Sequence, residues 1–403
     1  MDHHTDVIVI GGGAAGMTAA IKASENHRNV LLLEKNNKPG RKVLAAGNGR
    51  CNLMNRSGIR YFGDTLFAKN VLNRCTPEAL IRFFRHYGLI VTEEEDGRIY
   101  PLSYQSASVV SVLKSAMELS GVHLMTDRHV LHAHHDGKQF TVVTDNGDHF
   151  LSDCLIIACG GAAQPKLGGT TDGYHLLNSF GHTIITPKPA LVPLETDRKS
   201  ISGLSGIRIR CRVSIFDGNR VLHEESGEVL FTDYGVSGIC IMQCARFSEG
   251  LKSHIELCLL DRAFENELQA MDELHRRRKL FSDFSPTYLL DGIIPAKLSY
   301  AVMKQAGIPM RGETARDLSD DQIKKIIVTA AHYRLDISGT RGFDYAQVTS
   351  GGADCSQFDS CTMSSRIIPG LFAAGEVLNV DGDCGGFNLM FAFASGMIAG
   401  SSV

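Results

Sequence analysis

Ten residues near the start constrain this chain more than any others: Val-Ile-Val-Ile-Gly-Gly-Gly-Ala-Ala-Gly at positions 7–16. Residues 7–10 form a β-branched run that ends in glycine and reads as a buried strand. Residues 14–26 follow at once and are rich in helix formers, and residues 30–33 make a second apolar strand that ends at Glu34. Strand, glycine turn, helix and strand form a βαβ unit, whose two strands run parallel by the right-handed crossover rule. Gly11, Gly13 and Gly16 complete a GxGxxG pattern within it. The first permits a tight turn, the second a close approach of backbone to a pyrophosphate, and the third close packing of helix on strand. The helix N-terminus then offers unpaired N–H groups and a partial positive charge. Glu34, 18 residues after Gly16, is placed to accept hydrogen bonds from an adenosine ribose and to repel a 2′-phosphate. The pattern predicts a Rossmann-like α/β domain that binds a dinucleotide.

Further along, residues 77–87 and 107–120 have helical periodicity, while 123–134 and 140–145 alternate as strands around an Asp136-Gly137 turn. Residues 154–159 read as another apolar strand, closed by Gly160-Gly161. The character changes after Pro187, Pro189 and Pro193. Residues 208–216, 229–232 and 254–260 suggest antiparallel strands, and 264–282, 295–306 and 319–333 suggest helices. A glycine-rich α/β style returns from Val348. The expected organisation is a discontinuous dinucleotide domain over 1–190 and 346–403. An insertion over 191–345 interrupts it, antiparallel β over 191–262 and mainly helical over 263–345, and large enough to be a domain of its own.

The 403 residues carry 41 Lys+Arg against 44 Asp+Glu, a formal charge of −3 that gives no special attraction to nucleic acid or an anionic membrane. Eleven cysteines, an odd number without a CxxC pair, fit reduced thiols. The first residues lack the basic and long apolar regions of a signal peptide, and no run reaches the roughly 18 apolar residues of a membrane span. A cytoplasmic protein with no membrane or nucleic-acid partner is expected. The sequence fixes no oligomeric state.

Two more segments carry chemistry. Residues 38–55 combine Arg41, Lys42 and Arg50 with Gly47, Gly49, Asn48 and Asn52, groups suited to a pyrophosphate and the polar edge of a ring. Residues 370–400 contain a strand, then Gly375-Glu376, then a turn with Asp381, Asp383, Gly385 and Gly386, and a helix starting near Phe387 and Asn388. A second helix N-terminus in the same domain can face the far end of a long dinucleotide. With FAD as the ligand, its dipole would stabilise negative charge near N1 and O2 of the reduced flavin.

The whole chain resembles the BaiN-like or aminoacetone-oxidase family of bacterial FAD-dependent oxidoreductases. The resemblance rests on GGGAAG at 11–16, LLLEK at 31–35, PGRK at 39–42, GNGRCN at 47–52 and Tyr100-Pro101. It continues through ACGG at 158–161, DGY at 172–174, FTDYGVSG at 231–238, TSGG at 349–352 and AGEVLNVDGDCGGFN at 374–388. It implies a glutathione-reductase-type FAD domain with an inserted β-rich domain and a small helical subdomain. Gly11, Gly13, Ala14, Ala15 and Gly16 would wrap the pyrophosphate, and Glu34 would hold the ribose. Lys35, Arg41 and Lys42 would flank the phosphates, with Val130 meeting the adenine through its backbone. Gly47, Asn48 and Asn52 would lie near the flavin, and Gly160, Gly375, Glu376, Gly386, Phe387 and Asn388 would complete the cofactor set.

The resemblance implies hydride transfer between flavin N5 and a small organic substrate, with reduction of an enoate- or steroid-like double bond ranked first and NADH or NADPH as a transient reductant. Oxidation of an amine by oxygen is the alternative. A flavin- or nucleotide-binding regulatory or RNA-modification-associated protein with little turnover is a third reading. Arg50, Asn52 and Tyr234 are the expected catalytic residues, Tyr234 offering a hydroxyl to a substrate whose opposite wall is Arg50 and Asn52. Cys51 is read as a packing residue, because a disulfide reductase needs a second nearby cysteine. Cys240 and Cys244 lack the partners of a zinc site, so no metal is expected. His132, His134 and His135 read as solvated, and residues 276–279 as an exposed helix face.

Overall fold

Val7 to Ile10 and Val30 to Leu33 are buried at every position, as strands covered on both faces must be. In the computed structural model, which describes residues 3–58, 60–94, 96–248 and 253–403, the two lie parallel with Val7 beside Val30 and Ile10 beside Leu33. The chain divides into two compact units, Met1–Pro189 with Gln347–Val403, and Ala190–Ala346.

Among the described residues, the main sheet of the first unit has seven strands. Their order is His123–Met125, Val30–Leu33, His3–Ile10, His149–Ile157, Phe140–Thr144 and Val130–His135, and Leu371–Ala373 also pairs with His149–Ile157. The pairs at the centre are parallel, whereas the hairpin at the edge is antiparallel. The single strand expected over 123–134 is therefore two strands with different partners. Asp127 separates them at φ 53°, a left-handed conformation that extended chain cannot contain.

The helix Ala14–Glu25 packs against the last helix, Phe387–Ser401. A Cβ on Gly396 would lie 2.3 Å from the Ala15 carbonyl oxygen, and one on Gly400 would lie 2.1 Å from that of Ala19. Only glycine at both positions lets the backbones meet this closely. The C-terminal helix is thereby fixed against the helix that follows GxGxxG.

The second unit is a closed barrel in the order Leu194–Thr196, Gly235–Ser237, Arg220–Phe231, Arg208–Asp217, Ser253–Cys258 and Tyr333–Thr340. Its closing strand, Tyr333–Thr340, comes from the stretch expected to be mainly helical; the helices Glu267–Leu280, Ala296–Gln305 and Asp320–Ala331 precede it. Pairing with both Leu194–Thr196 and Ser253–Cys258 satisfies its backbone on both edges. All eleven cysteines are free thiols. Among the described residues no helix is long and apolar enough to cross a membrane, and no cluster of ligating side chains could hold a metal ion.

Candidate cofactor-binding site

The glycine turn after the first strand closes on itself. Gly11 has φ 104°, and a Cβ there would lie 2.5 Å from the Ala158 carbonyl oxygen. A Cβ on Gly16 would lie 1.8 Å from the Gly11 oxygen, so this glycine packs the helix onto the turn itself. Gly13 differs: nothing lies within 4 Å of its Cβ position. It is also the N-cap of Ala14–Glu25, without a capping side chain. The N–H groups of Ala14, Ala15 and Gly16 thus lack partners within the helix, next to the open space at Gly13.

Glu34 is buried at the end of its strand, 6% exposed. Its Oε2 accepts the Gly12 N–H at 2.7 Å, and its Oε1 accepts the N–H of Asn36 at 2.7 Å and the Asn36 Nδ2 at 2.5 Å. A buried carboxylate needs such donors to replace the water it has lost. The Arg128 N–H donates to the Glu34 carbonyl at 3.0 Å, two residues before Val130, the buried first residue of Val130–His135. Lys35 Nζ lies 3.6 Å from Asp172 Oδ2, which also meets His129 Nε2 at 2.9 Å. Arg41 donates to Asn36 Oδ1 at 2.7 Å and to the Lys166 carbonyl at 2.8 Å.

Two turns from distant parts of the chain converge on Asn52. Gly47, Asn48, Gly49 and Cys51 all have positive φ, between 54° and 84°, so this loop is held in a conformation that costs free energy at the non-glycine positions. The Asn52 Oδ1 is buried and has no hydrogen-bond partner. A Cβ on Gly47 would lie 3.1 Å from the Asn52 N, and one on Gly386 would lie 2.6 Å from its Oδ1. Asn55 ties the same region together by donating from Nδ2 to the Gly385 carbonyl at 2.8 Å. The Asn388 carboxamide closes its own turn, accepting from Gly382 N–H and donating to Gly382 O, each at 2.8 Å. Phe387 turns its ring into the core beside Tyr61, whose hydroxyl donates to the Phe387 carbonyl at 2.8 Å. Residues 387 and 388 can therefore offer a ligand their backbone rather than their side chains.

Between these regions stands Glu376. Its Oε2 pairs with Lys42 Nζ at 2.7 Å, and its Oε1 accepts the Thr349 N–H at 2.8 Å. Gly375 beside it has φ 78°, and a Cβ there would lie 2.8 Å from that of Ala15. The Gly375-Glu376 corner thus abuts the start of the GxGxxG helix. Gly160, at φ 74°, would place a Cβ 3.9 Å from Glu376 Oε2. Asn36 and Thr349 are supporting residues that sequence reasoning did not single out by role; Thr349 lies within the quoted TSGG, and Asn36 had no signal beyond an amide after Glu34.

Arg50 is half-exposed, with its guanidinium 4.6 Å from the ring centres of both Tyr100 and Tyr104 and its Nη2 2.8 Å from Glu94 Oε1. Cys51 is buried, which pushes its thiol up to about 12, so it stays protonated at neutral pH. Tyr234 belongs to the barrel unit, in the turn between Arg220–Phe231 and Gly235–Ser237, with the Arg341 guanidinium 4.5 Å from its ring centre. The donor set of the first unit fits FAD: uncapped helix N–H groups, a buried carboxylate with an acceptor site to spare, and an orphaned amide oxygen beside a second glycine turn.

The family described as HI0933-like protein Rossmann domain matches residues 5–402. A 3-dehydro-bile acid delta(4,6)-reductase of Clostridium scindens is 35% identical over 402 residues, 97% of each chain. A ribosomal RNA dihydrouridine synthase of Escherichia coli is 30% identical over 397 residues, 97% of this chain and 96% of that protein. Among solved structures, a 3-ketosteroid-delta4-(5alpha)-dehydrogenase from Rhodococcus jostii shares the fold with a TM-score of 0.50. It is 14% identical, over 100% of this chain and 97% of that one.

Proposed function

The chain belongs to the HI0933-like Rossmann family and is an FAD-dependent oxidoreductase, and from that premise we propose that it reduces a carbon–carbon double bond conjugated with a carbonyl in a small enoate- or steroid-like molecule, with NADH or NADPH as reductant. Similarity to a bile acid delta(4,6)-reductase over 97% of the chain is the observation that carries this reading. FAD, when bound, supplies hydride at flavin N5.

The chain's own residues bind and orient. The N–H groups of Ala14, Ala15 and Gly16 hold the pyrophosphate beside Gly11 and Gly13. Glu34 accepts from the adenosine ribose, and Val130 meets the adenine with its backbone. Lys35 and Lys42 contribute positive charge along the phosphates, while Gly160, Gly375 and Glu376 line the middle of the cofactor. Gly47, Asn48, Asn52, Gly386 and the backbone of Phe387 and Asn388 face the flavin. Reduction at the far end of the conjugated system pushes negative charge onto the substrate carbonyl oxygen. A cation already fixed in place stabilises that charge without reorganising. Arg50 is such a cation, since two tyrosine rings and Glu94 restrain it while further N–H donors remain.

A second reading rests on the similarity to the ribosomal RNA dihydrouridine synthase. A uracil double bond is also conjugated with a carbonyl, so the same site chemistry would serve. The net charge of −3 favours the small molecule, because RNA affinity draws heavily on basic surface.

Anaerobic titration of the purified protein with NADH and with NADPH tests the reductant. Bleaching of the flavin by either supports the reductase. Absence of bleaching by both, with bleaching by an amine, would replace it by the oxidase reading.

A further inference from the structure

Arg41 lies in the PGRK turn expected at the phosphates, yet its hydrogen bonds run toward Glu34. Nη1 donates to Asn36 Oδ1 at 2.7 Å, and Asn36 Nδ2 donates onward to Glu34 Oε1 at 2.5 Å. The Asn36 N–H reaches the same oxygen at 2.7 Å. A carboxylate oxygen has about two lone-pair sites, so Asn36 saturates Oε1. Among the described residues, Oε2 receives only the Gly12 N–H, at 2.7 Å, and keeps one site for a ligand hydroxyl.

The outer end of this chain of bonds is equally fixed. Arg41 Nη2 donates to the Lys166 carbonyl at 2.8 Å. That carbonyl belongs to the short turn Pro165–Leu167, flanked by Gln164 at φ 57° and Gly168 at φ 105°. A Cβ on Gly168 would lie 2.9 Å from Asn36 Nδ2, so the turn presses on the amide that Arg41 holds.

We propose that Asn36 and Arg41 are positioning residues for FAD, locking the Glu34 carboxylate so that Oε2 presents its remaining acceptor site to the adenosine ribose. The proposal rests on the reading of Glu34 as the ribose acceptor. It assigns Arg41 to the support of that acceptor rather than to the phosphates. Without the relay, the backbone N–H groups of Gly12 and Asn36 still hold the carboxylate, but Oε1 loses its second donor, the orientation of Oε2 is less tightly set, and selectivity for the ribose hydroxyl is what suffers.

The test uses the full chain after removal of FAD. ADP and 2′-deoxy-ADP each compete with FAD, read by quenching of flavin fluorescence. The wild-type protein should favour ADP by about tenfold, as expected for a hydroxyl bonded to a charged acceptor. Asn36→Ala and Arg41→Ala should reduce that preference to about twofold or less while 2′-deoxy-ADP binds nearly as before. Arg41→Lys, which keeps one donor for Asn36 Oδ1, should retain part of the preference and carries the test if Arg41→Ala does not fold. Equal weakening of both nucleotides, or an unchanged preference in the variants, would overturn the relay. A wild-type protein indifferent to the 2′-hydroxyl would overturn the ribose reading and the relay together.

Discussion

The Asn52 Oδ1 lies 2.6 Å from the point that a Cβ on Gly386 would occupy. Two glycine turns from opposite ends of the first unit are therefore packed backbone to side chain, with no space for a methyl group. Gly386 also has φ 103°, and its Cβ would meet the Met54 carbonyl at 2.7 Å. Gly386→Ala combines this clash with left-handed strain of about 1–3 kcal/mol. It should lower the melting temperature and leave less than one FAD per chain. A variant with wild-type melting and full FAD content would show that the turns do not converge as described.

Asn52→Leu should separate cofactor binding from folding. The Oδ1 is a buried acceptor without a partner, which costs about 1–3 kcal/mol in the protein without ligand. An apolar residue of similar volume removes that cost, so the FAD-free protein should melt no lower than wild type. FAD binding should weaken by about tenfold or more, because the polar partner is gone. Lower stability combined with unchanged FAD affinity would place Asn52 outside the site.

The buried thiols set an alkaline limit. Burial raises Cys51 and Cys159 from an ordinary 9.0 to about 12, and Cys75 and Cys240 to about 11. Above pH 9 the unfolded chain loses these protons while the folded chain keeps them. Their contribution to stability is thus complete below about pH 9 and declines as pH rises toward 11–12. Urea unfolding across that range should show the decline, and an alkylating reagent at neutral pH should leave Cys51 unmodified in the folded protein. Stability that rises over the same interval, or ready alkylation of Cys51, would contradict this account.

Tyr234→Phe removes only a hydroxyl. Phenylalanine keeps a ring for the Arg341 guanidinium to stack on, 4.5 Å away in the wild type. FAD content and melting temperature should stay near wild type, while turnover of the identified substrate should fall by about tenfold as its contact with the hydroxyl is lost. Turnover at the wild-type rate would remove Tyr234 from the catalytic set.

The fold was most legible where local pattern and tertiary role coincide. The run 7–10 is apolar at every position because the strand is buried on both faces, and within the glycine turn after it Gly16 packs directly on Gly11. The strand Arg220–Phe231 was legible only at 229–232, because His223, Glu224 and Glu225 lie in its partly exposed part and break the apolar alternation. Tyr333–Thr340 closes the barrel from beyond three helices, a pairing that no local signal specifies. At the site, Glu34 could be read from its place at a strand end. The partners of Arg41 could not, since one is the backbone carbonyl of Lys166, an atom every residue possesses. Phe387 and Asn388 are expected at the cofactor from the resemblance alone, which does not specify that the Phe387 ring packs on Tyr61 or that the Asn388 amide closes the Gly382 turn.

Reduction of a conjugated double bond is tested most directly in the oxidative half-reaction. The bound flavin is first reduced without oxygen, by NADH, NADPH or dithionite, and a 3-oxo-4-ene steroid is then added under the same conditions. Flavin absorbance should return, with one saturated ketone formed for each flavin reoxidised. A flavin that stays reduced in the presence of this steroid and a simple enoate, yet reoxidises at once when oxygen is admitted, would contradict the reductase reading.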